Sequence, residues 1–265
     1  NQNQINQIDE EISSVKAIFH LAAFNGTNNF YKKPYTVLNN SSLPILNLIN
    51  KIISLKITPK ILYTGSSECY AYGVKKGFNS IPTNEDVTLA LGPHDNPRWS
   101  YACGKLLGEY ALFNAYQQYQ IPFVIARVHN IYGPRMGLSH AIPELIKKMK
   151  NKKCLVYSPS HSRAFCYVSD AVKQICNITF NNKIYNEVFN IGNMKEEIKI
   201  FDLAKVIKKE LSSRCKLLRG PVTSGSPPRR VPDMRKTLKK LKHHNFVKLS
   251  QGLKDTINWY IKNEK

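Results

Sequence analysis

The stretch SYACGKLLGEYALFNAYQQYQIPFVIARV, residues 100–128, combines a helical pattern with a buried-strand pattern. Residues 100–119 predict one long helix, and the apolar run at 121–128 predicts a strand that is covered on both faces. A long helix that leads directly into a buried strand is typical of an α/β fold.

Strand and helix patterns alternate along the rest of the chain. Apolar strand patterns lie at residues 16–23, 59–67 and 187–193, and helical patterns lie at residues 43–55, 141–150, 169–180, 200–213 and 250–263. This alternation predicts a doubly wound, parallel, Rossmann-like α/β sheet. Because ligands of such sheets bind beyond the carboxyl ends of the strands, the segments after the strands at 16–23, 59–67 and 121–128 should converge on one crevice.

Tyr101 and Lys105 are four residues apart in the predicted helix and therefore share one of its faces. A free tyrosine has a pKa of about 10, and a neighbouring cation lowers that pKa because it favours the phenolate. Such a pair is a compact proton acceptor for an alcohol. The same spacing recurs at Tyr72 and Lys76, but the glycines around them predict a loop, in which no common face exists.

The composition is that of a globular protein of one or two domains, with 265 residues and 42% hydrophobic residues. No apolar run approaches the roughly 20 residues of a membrane span, and the first residues contain no apolar core of a secretory signal. The six cysteines form no C-x-x-C pair, so we interpret them as reduced core thiols of a cytoplasmic protein and predict no metal site.

The net charge of +21 is unusual, and residues 201–265 contain 17 Lys or Arg against 5 Asp or Glu. A nucleic-acid surface and a lysine-rich surface of biased composition are both compatible with this charge. Basic residues there do not alternate with stacking aromatics, and no nucleic-acid-binding module is recognisable, which disfavours nucleic acid as a partner.

Seven short motifs occur in an order that matches one protein family. They are HLAA (20–23), TGSSECYAYG (64–73), YACGK (101–105), RVHNIYGPRMG (127–137), RAFCYVSDAV (163–172), VFNIGN (188–193) and PRRVPD (228–233). In this order they resemble the NAD-dependent epimerase/dehydratase family, which are extended short-chain dehydrogenase/reductases acting on nucleotide sugars. The resemblance extends from about residue 16 to the C-terminus.

The resemblance implies catalytic roles for four residues. Tyr101 is similar to the acid/base that takes the proton from a sugar hydroxyl, and Lys105 is similar to its electrostatic partner, which also binds the ribose beside the nicotinamide. Ser66 matches the residue that hydrogen-bonds the reacting oxygen. Glu68 matches an acidic position that some dehydratases and decarboxylases use and that many epimerases also carry.

The resemblance also implies two sets of binding residues. The residues expected to contact NAD are Leu21, Ala22, Ala23, Val128, Tyr101 and Lys105. The residues expected to contact a nucleotide-diphosphate sugar are Ser67, Asn130, Arg163 and Arg230. Arginine forks suit this second role because they bind diphosphate oxygens in a bidentate manner.

The chain departs from the family pattern at its beginning. Family members open with a strand and a Gly-rich turn that holds the cofactor pyrophosphate, yet this chain has no glycine before Gly26. We therefore expect the first strand, the Gly-rich turn and the acidic residue that distinguishes NAD from NADP to be missing from the 265 residues. A fragment of a longer protein and a degenerate homologue both fit this expectation, and in either case we expect a weakly stable or weakly active chain.

The expected function is nucleotide-sugar epimerisation with bound NAD, a keto-sugar intermediate and Tyr101 as base and then acid. A decarboxylase of the UDP-glucuronate type is the first alternative, since such enzymes carry Ser-Glu at positions 67 and 68. The dehydratases of the dTDP-glucose type carry an Asp where this chain has Ser67, which disfavours that activity. A non-catalytic homologue or scaffolding subunit is the alternative from another class.

The resemblance further implies how the chain is divided and how it associates. Residues 1–135, with 164–192 returning to them, are expected to form a partial dinucleotide-binding domain. Residues 136–163 and 193–265 are expected to form a smaller, mainly substrate-binding lobe. A homodimer is expected through the helices at 43–55 and 100–119.

Overall fold

A computed structural model of the chain describes residues 9–241 and 245–263. Its strands are β1 (Ala17–His20), β2 (Lys60–Ser66), β3 (Phe123–Val128), β4 (Ile131–Tyr132), β5 (Lys153–Val156), β6 (Ser162–Ala164), β7 (Cys166–Tyr167), β8 (Glu187–Ile191), β9 (Glu197–Lys199), β10 (Lys216–Arg219) and β11 (Arg229–Arg230). Its helices are α1 (Asp9–Ser14), α2 (Thr27–Lys32), α3 (Pro34–Ser54), α4 (Ala71–Lys75), α5 (Trp99–Tyr119), α6 (Ala141–Lys148), α7 (Val168–Phe180), α8 (Ile200–Glu210), α9 (Arg235–Lys240) and α10 (Leu249–Asn263). A 3-10 turn, Ser67–Tyr70, connects β2 to α4.

Four parallel strands form the central sheet in the order β1–β2–β3–β8. The side chains of β2 and β3 are almost all buried, as expected for parallel strands that are covered on both faces. In the register of the sheet, His20 lies beside Tyr63, and Ser66 lies beside Val128. The carboxyl ends of these strands therefore lie along one edge of the sheet.

Helices cover both faces of this sheet. On one face, α3 and α5 pack against a cluster that includes Ile61, Tyr63 and Ile125. On the opposite face, α7 packs against a cluster that includes Leu62 and Val124. Alternate side chains of β2 therefore belong to two separate cores, one on each face of the sheet. The predicted doubly wound parallel sheet is confirmed.

A further core lies among the later elements of the chain. Its buried members include Tyr132, Ile142, Leu203 and Leu253, so it joins β4 to α6, α8 and α10. Short sheets surround it, with β5 beside β10 and β6 between β9 and β11. The division into residues 1–135 with 164–192, and 136–163 with 193–265, stays a prediction.

Two predictions about helices are wrong. Helix α3 begins at Pro34 rather than at residue 43, because a proline in the first turn removes no helical hydrogen bond. Tyr72 lies in the short helix α4 rather than in a loop, and Lys76 Nζ lies 5.9 Å from the centroid of the Tyr72 ring. Gly73 does not break this helix; a Cβ there would lie 2.3 Å from the Asn79 amide nitrogen, so glycine permits a close approach.

Three properties bear on the class of protein. Across residues 9–241 and 245–263, no helix is both long and apolar enough to cross a membrane. All six cysteines are free thiols, and Cys69, Cys154, Cys166 and Cys215 are buried, as expected for core thiols. The same residues contain no group of three or more His, Cys, Asp or Glu side chains that could hold a metal ion.

Candidate active site

Tyr101 lies in the first turn of α5 and points toward the carboxyl edge of the sheet. Its side chain is nearly buried, at 7% exposure, and its ring stacks on Phe30 with centroids 5.2 Å apart. Burial, with the nearby Cys69 and Glu68 groups, raises the pKa of Tyr101, and hydrogen bonds with the Asn25 and Ser66 side chains offset part of this rise. The predicted lowering of this pKa is therefore wrong for the protein alone, because burial outweighs the neighbouring cation.

Lys105 lies one helical turn after Tyr101 and is 1% exposed. Its Nζ donates to the Thr64 carbonyl oxygen at 2.7 Å and lies 4.8 Å from the centroid of the Tyr63 ring and 5.9 Å from that of Tyr101. Burial lowers the pKa of Lys105 to about 8. Within the described part of the chain, this buried ammonium forms no ion pair with a carboxylate, so it can still donate to a ligand.

Two glycines let α5 approach its neighbours closely. A Cβ at Gly104 would lie 2.7 Å from the Ser41 Cβ on α3, and a Cβ at Gly108 would lie 2.3 Å from the Tyr63 Oη on β2. Neither contact is possible for a larger residue without movement of the helix. The spacing of these glycines therefore brings Tyr101 and Lys105 close to the end of β2.

The 3-10 turn after β2 presents Ser67 and Glu68 beside Tyr101. Ser66 caps this turn, because its Oγ accepts a hydrogen bond from the Glu68 backbone N–H at 3.2 Å. Ser67 is buried, and its Oγ lies 3.5 Å from an Arg230 guanidinium nitrogen. The structure therefore brings Ser66, Ser67, Glu68 and Tyr101 together, as the sequence predicts.

Glu68 lies between two arginines. Its carboxylate oxygens lie 3.0 Å from Arg98 Nη2 and 2.9 Å from Arg230 Nη2, and 15% of the side chain is exposed. Burial alone would raise the pKa of Glu68, but Arg230 and Arg98 lower it to about 2. Glu68 is therefore a carboxylate at any physiological pH, and in this arrangement it cannot donate a proton.

Arg163 is engaged by a neighbouring loop rather than by Glu68. Its guanidinium donates to the Ser226 Oγ at 2.7 Å and to the Pro227 carbonyl at 2.9 Å. Burial and the nearby Arg230 lower the pKa of Arg163 to about 9. Asn130 is held in a similar way, because its amide nitrogen donates to the Ala164 carbonyl at 3.1 Å.

These side chains line a cavity of about 500 Å³ between the carboxyl edge of the sheet and the later elements. Eight of the predicted site residues line it, namely Ser66, Ser67, Glu68, Tyr101, Val128, Asn130, Arg163 and Arg230. Leu21, Ala22 and Ala23 do not line it; they follow β1 on an exposed surface. Lys105 lies behind Tyr101 rather than on the cavity wall.

The structure adds residues that the sequence did not reveal. Arg98, Asn25 and Phe30 all line the cavity, and Arg98 is buried against Glu68. Arg98 precedes Tyr101 by three residues, so helical spacing places both on one face, and this signal could have identified it. No such spacing connects Asn25 or Phe30 to Tyr101, because they belong to a separate segment.

The sequence of this chain is similar to those of known proteins. A family model described as the NAD dependent epimerase/dehydratase family matches residues 1–192. A UDP-N-acetyl-alpha-D-glucosaminuronate decarboxylase of Bacillus cytotoxicus is 30% identical over 96% of this chain and 79% of its own length. The UDP-glucuronic acid decarboxylase 1 of Danio rerio is also 30% identical, over 93% of this chain, and the match spans 57% of that longer protein.

Structural comparison gives the same fold. The crystal structure of a UDP-glucuronic acid 4-epimerase from Bacillus cereus, in complex with UDP-glucuronic acid and NAD, matches with a TM-score of 0.84 at 24% identity. The match covers 96% of this chain and 78% of the epimerase. Relatives with this fold thus include enzymes that decarboxylate and enzymes that epimerise.

Proposed function

We propose, from the premise that this chain belongs to the NAD-dependent epimerase/dehydratase family, that it acts on a nucleotide-bound hexuronate, oxidises its sugar and removes the carboxylate. The observation that carries the proposal is the Glu68 carboxylate held between Arg98 and Arg230 beside Tyr101. Two arginines against one carboxylate leave a net positive charge where the sugar would lie. Such a site suits a sugar that is itself an anion.

The residues around Lys105 fit the nicotinamide half of NAD. The Lys105 ammonium donates to the Thr64 carbonyl and has further N–H groups that can donate to ribose hydroxyls. Leu21, Ala22 and Ala23 are exposed after β1 and could contact the cofactor there. Val128 would contact the same half of the cofactor from the end of β3. Bound NAD supplies an acceptor for a hydride from the sugar and later returns that hydride.

Tyr101 would move the proton in the same reaction. As the phenolate it accepts the proton of the sugar hydroxyl while the carbon is oxidised, and as the phenol it gives that proton back when the carbonyl is reduced. Lys105 favours the phenolate that takes this proton, and Ser66 would hold the reacting oxygen by a hydrogen bond. Ser67, Asn130, Arg163 and Arg230 are proposed to bind the rest of the nucleotide-diphosphate sugar, whose two phosphates suit arginine.

Decarboxylation follows from the oxidation of a hexuronate at carbon 4. The product is a β-keto acid, in which the bond between carbon 5 and the carboxyl carbon breaks, carbon dioxide leaves and the electron pair passes to the carbonyl oxygen. Tyr101 and Ser66 can hydrogen-bond that enolate oxygen, and carbon 5 then takes a proton from water. Arg163 and Arg230 would still hold the diphosphate after carbon dioxide has left, so the keto sugar would keep one orientation until its carbonyl is reduced.

Epimerisation, the activity predicted from the sequence, is the second candidate. It uses the same oxidation by Tyr101 but requires the keto sugar to rotate before reduction. The structural likeness to a UDP-glucuronic acid 4-epimerase keeps this candidate open, as does the cavity volume of about 500 Å³. The distinction depends on whether the arginines let the sugar turn.

Product analysis separates the candidates. We would incubate the chain and NAD with UDP-glucuronate labelled with ¹³C in the carboxylate, with UDP-N-acetylglucosaminuronate and with UDP-glucose, and then measure product masses and labelled carbon dioxide. Release of labelled carbon dioxide supports the proposal. An isobaric product supports epimerisation instead, and no conversion of any of these sugars by folded protein would contradict both candidates.

We also propose a homodimer and a cytoplasmic location. The outer faces of α3 and α5 leave Leu43, Leu107 and Tyr110 exposed, and apolar side chains of this kind suit a subunit contact. The free thiols of the six cysteines are compatible with a reducing compartment.

A further inference from the structure

Glu109 continues the row of functional residues along α5 without reaching the cavity. It follows Lys105 by four residues, as Lys105 follows Tyr101, so the three side chains share one face of the helix. Glu109 is buried and is absent from the cavity wall. Its position therefore needs an explanation other than contact with substrate.

Arg127 on β3 binds the Glu109 carboxylate through two parallel contacts. Arg127 Nε donates to Oε1 at 3.1 Å, and Nη2 donates to Oε2 at 2.6 Å. Both side chains are only 4% exposed. A bidentate pair of this kind fixes the helix in direction as well as in distance from the sheet.

The remaining amino group of Arg127 reaches a different element. Arg127 Nη1 donates to the Tyr70 hydroxyl oxygen at 2.9 Å and to the Glu85 carbonyl oxygen at 3.0 Å. Tyr70 ends the 3-10 turn that carries Ser67 and Glu68, and its own hydroxyl donates to Asn190 Oδ1 at 3.0 Å. One guanidinium thus connects the helix of Tyr101 to the turn beside it.

Gly65 makes room for this connection. A Cβ at position 65 would lie 2.7 Å from Glu109 Oε1 and 3.1 Å from Arg127 Cγ. Gly65 directly precedes Ser66 in β2. The ion pair therefore passes immediately behind the residue that contacts the reacting oxygen in the proposed function.

We infer that Glu109 and Arg127 are positioning residues that fix Tyr101 and Lys105 relative to the turn of Ser66–Glu68. The inference rests on the proposed function, because it assigns a catalytic consequence to this spacing. Proton transfer depends steeply on the placement of the reacting atoms. Weakening the Glu109–Arg127 ion pair therefore slows the chemical step more than it weakens substrate binding. Arg98, Arg163 and Arg230 remain in place to hold the substrate.

The central test is the substitution Arg127→Lys in the full chain with NAD. Lysine keeps the charge but cannot present two parallel N–H groups to Glu109 and also reach Tyr70. We expect kcat to fall by roughly tenfold or more with KM changed less than about threefold. Asp170→Asn is the matched control, because Asp170 is a buried helix carboxylate outside the cavity whose Oδ2 accepts the Val247 N–H.

Hydrogen–deuterium exchange provides a readout that is independent of activity. Arg127→Lys and Glu109→Gln should accelerate exchange in both the 66–70 and 101–109 segments, while Glu109→Asp should restore slower exchange and part of kcat. Gly65→Ala, which crowds the pair without removing it, should give the same pattern more weakly. Acceleration in both segments with a fall in kcat supports the inference.

The contrary outcomes are distinct. Unchanged kcat and unchanged exchange in a folded Arg127→Lys variant overturn the inference. The inference is also overturned if Arg127→Lys and Asp170→Asn lose kcat in the same proportion to their loss of thermal stability. A wild-type chain that converts no nucleotide sugar overturns the proposed function. In that case, exchange still tests the connection made by Glu109 and Arg127. Faster exchange of the Arg127→Lys variant in only one of the two segments contradicts the connection, and faster exchange in both segments supports it.

Discussion

Lys105 is the residue whose environment most constrains the chemistry. Its ammonium is almost completely buried, and burial holds its pKa at about 8. A charge in this position destabilises the folded protein until a ligand or a phenolate shares it. The same charge is what favours ionised Tyr101 during the proposed reaction, so function and stability compete at this residue.

Tyr101→Phe removes the proposed proton acceptor while keeping the ring that stacks on Phe30. We expect turnover of the nucleotide sugar to fall by about 10²–10⁴-fold, the usual contribution of a positioned acid/base, with little change in melting temperature. Tyr72→Phe is the control, because it alters the other Tyr-x-x-x-Lys pair, which lies outside the cavity lining. Equal losses from the two substitutions would contradict the assignment.

Stability and activity should respond to pH in opposite directions because of Lys105. Its pKa is about 8 in the folded protein and 10.5 at its ordinary value, so between these limits the unfolded chain binds more protons. The free energy of unfolding should therefore rise with pH in this window, by about 3 kcal/mol at roughly 1.4 kcal/mol per pKa unit. The proposed activity should fall above about pH 8 as the ammonium is lost.

Urea unfolding of wild type and Lys105→Met between pH 7 and pH 10.5 measures this effect. The difference between the two curves should narrow or reverse as the pH rises, because Met carries no charge to lose. Other groups near Lys105, including His20, Cys69 and Glu109, are the same in both proteins. If the free energies of unfolding of the two proteins change in parallel across the whole pH range, the Lys105 ammonium does not destabilise the folded state.

Part of this residue-scale description was accessible from the sequence. The i, i+4 spacing placed Tyr101 and Lys105 together, and the strand-end motif placed Ser66 and Glu68 beside them. The direction of the Tyr101 pKa was not accessible, because it depends on Phe30 and Cys69, which other segments bring to the ring. Arg98 was missed although its spacing from Tyr101 was visible.

At the scale of elements, glycines allow α5 to pack closely against both α3 and β2. Gly104 faces α3 and Gly108 faces the buried Tyr63, so the helix carries small residues on its sides and functional residues on its inner face. This close packing determines how far Tyr101 stands from Ser66. A change in helix position of about 1 Å would be sufficient to disturb proton transfer.

Gly108→Ala tests that packing. Alanine favours the helix by roughly 1 kcal/mol, but its methyl group would lie 2.3 Å from the Tyr63 hydroxyl, and overpacking costs typically 1–3 kcal/mol. We expect a net loss of up to about 2 kcal/mol in the free energy of unfolding. Gly137→Ala is the control, since its nearest contact would be an ordinary 3.4 Å, and a larger loss from the control would contradict the packing argument.

The sequence predicted the long elements better than the short ones. Strands β2 and β3 are long apolar runs, and α5 is a long uninterrupted helix, so local pattern and tertiary packing agree there. Strands such as β7 and β11 have two residues each, too few for any periodicity to appear. They form because other segments supply their hydrogen-bond partners, as β6 does for β11.

At the scale of the whole molecule, the cavity lies between the sheet edge and the later elements. Ser66 and Tyr101 come from the first half of the chain, whereas Arg163 and Arg230 come from the second. The motif order indicated which residues meet, since parallel strands gather their carboxyl ends at one edge. The contacts of Arg163 with Ser226 and Pro227 were not predictable, because a serine hydroxyl and a backbone carbonyl of a distant loop leave no pattern in the sequence.

The proposed dimer is testable at this scale. Leu107 and Tyr110 on α5 are 45% and 64% exposed, and burying them against a second copy would favour association. Light scattering of the wild-type protein should give a molar mass of twice the chain mass of 30.3 kDa. The Leu107→Glu substitution should lower this molar mass toward that of one chain. Phe78→Glu, at an exposed aromatic residue outside α3 and α5, is the control, and a monomeric wild type at micromolar concentration would contradict the proposal.

Gly65 has a consequence for how this sequence can change by mutation. Because any side chain at position 65 meets Glu109 and Arg127, substitutions at these three positions are epistatic rather than additive. A variant with alanine at 65 should tolerate a shorter side chain at 109 better than wild type does, although each change alone is harmful. Mutational libraries that vary one position at a time would therefore miss the combinations through which this part of the chain can diverge.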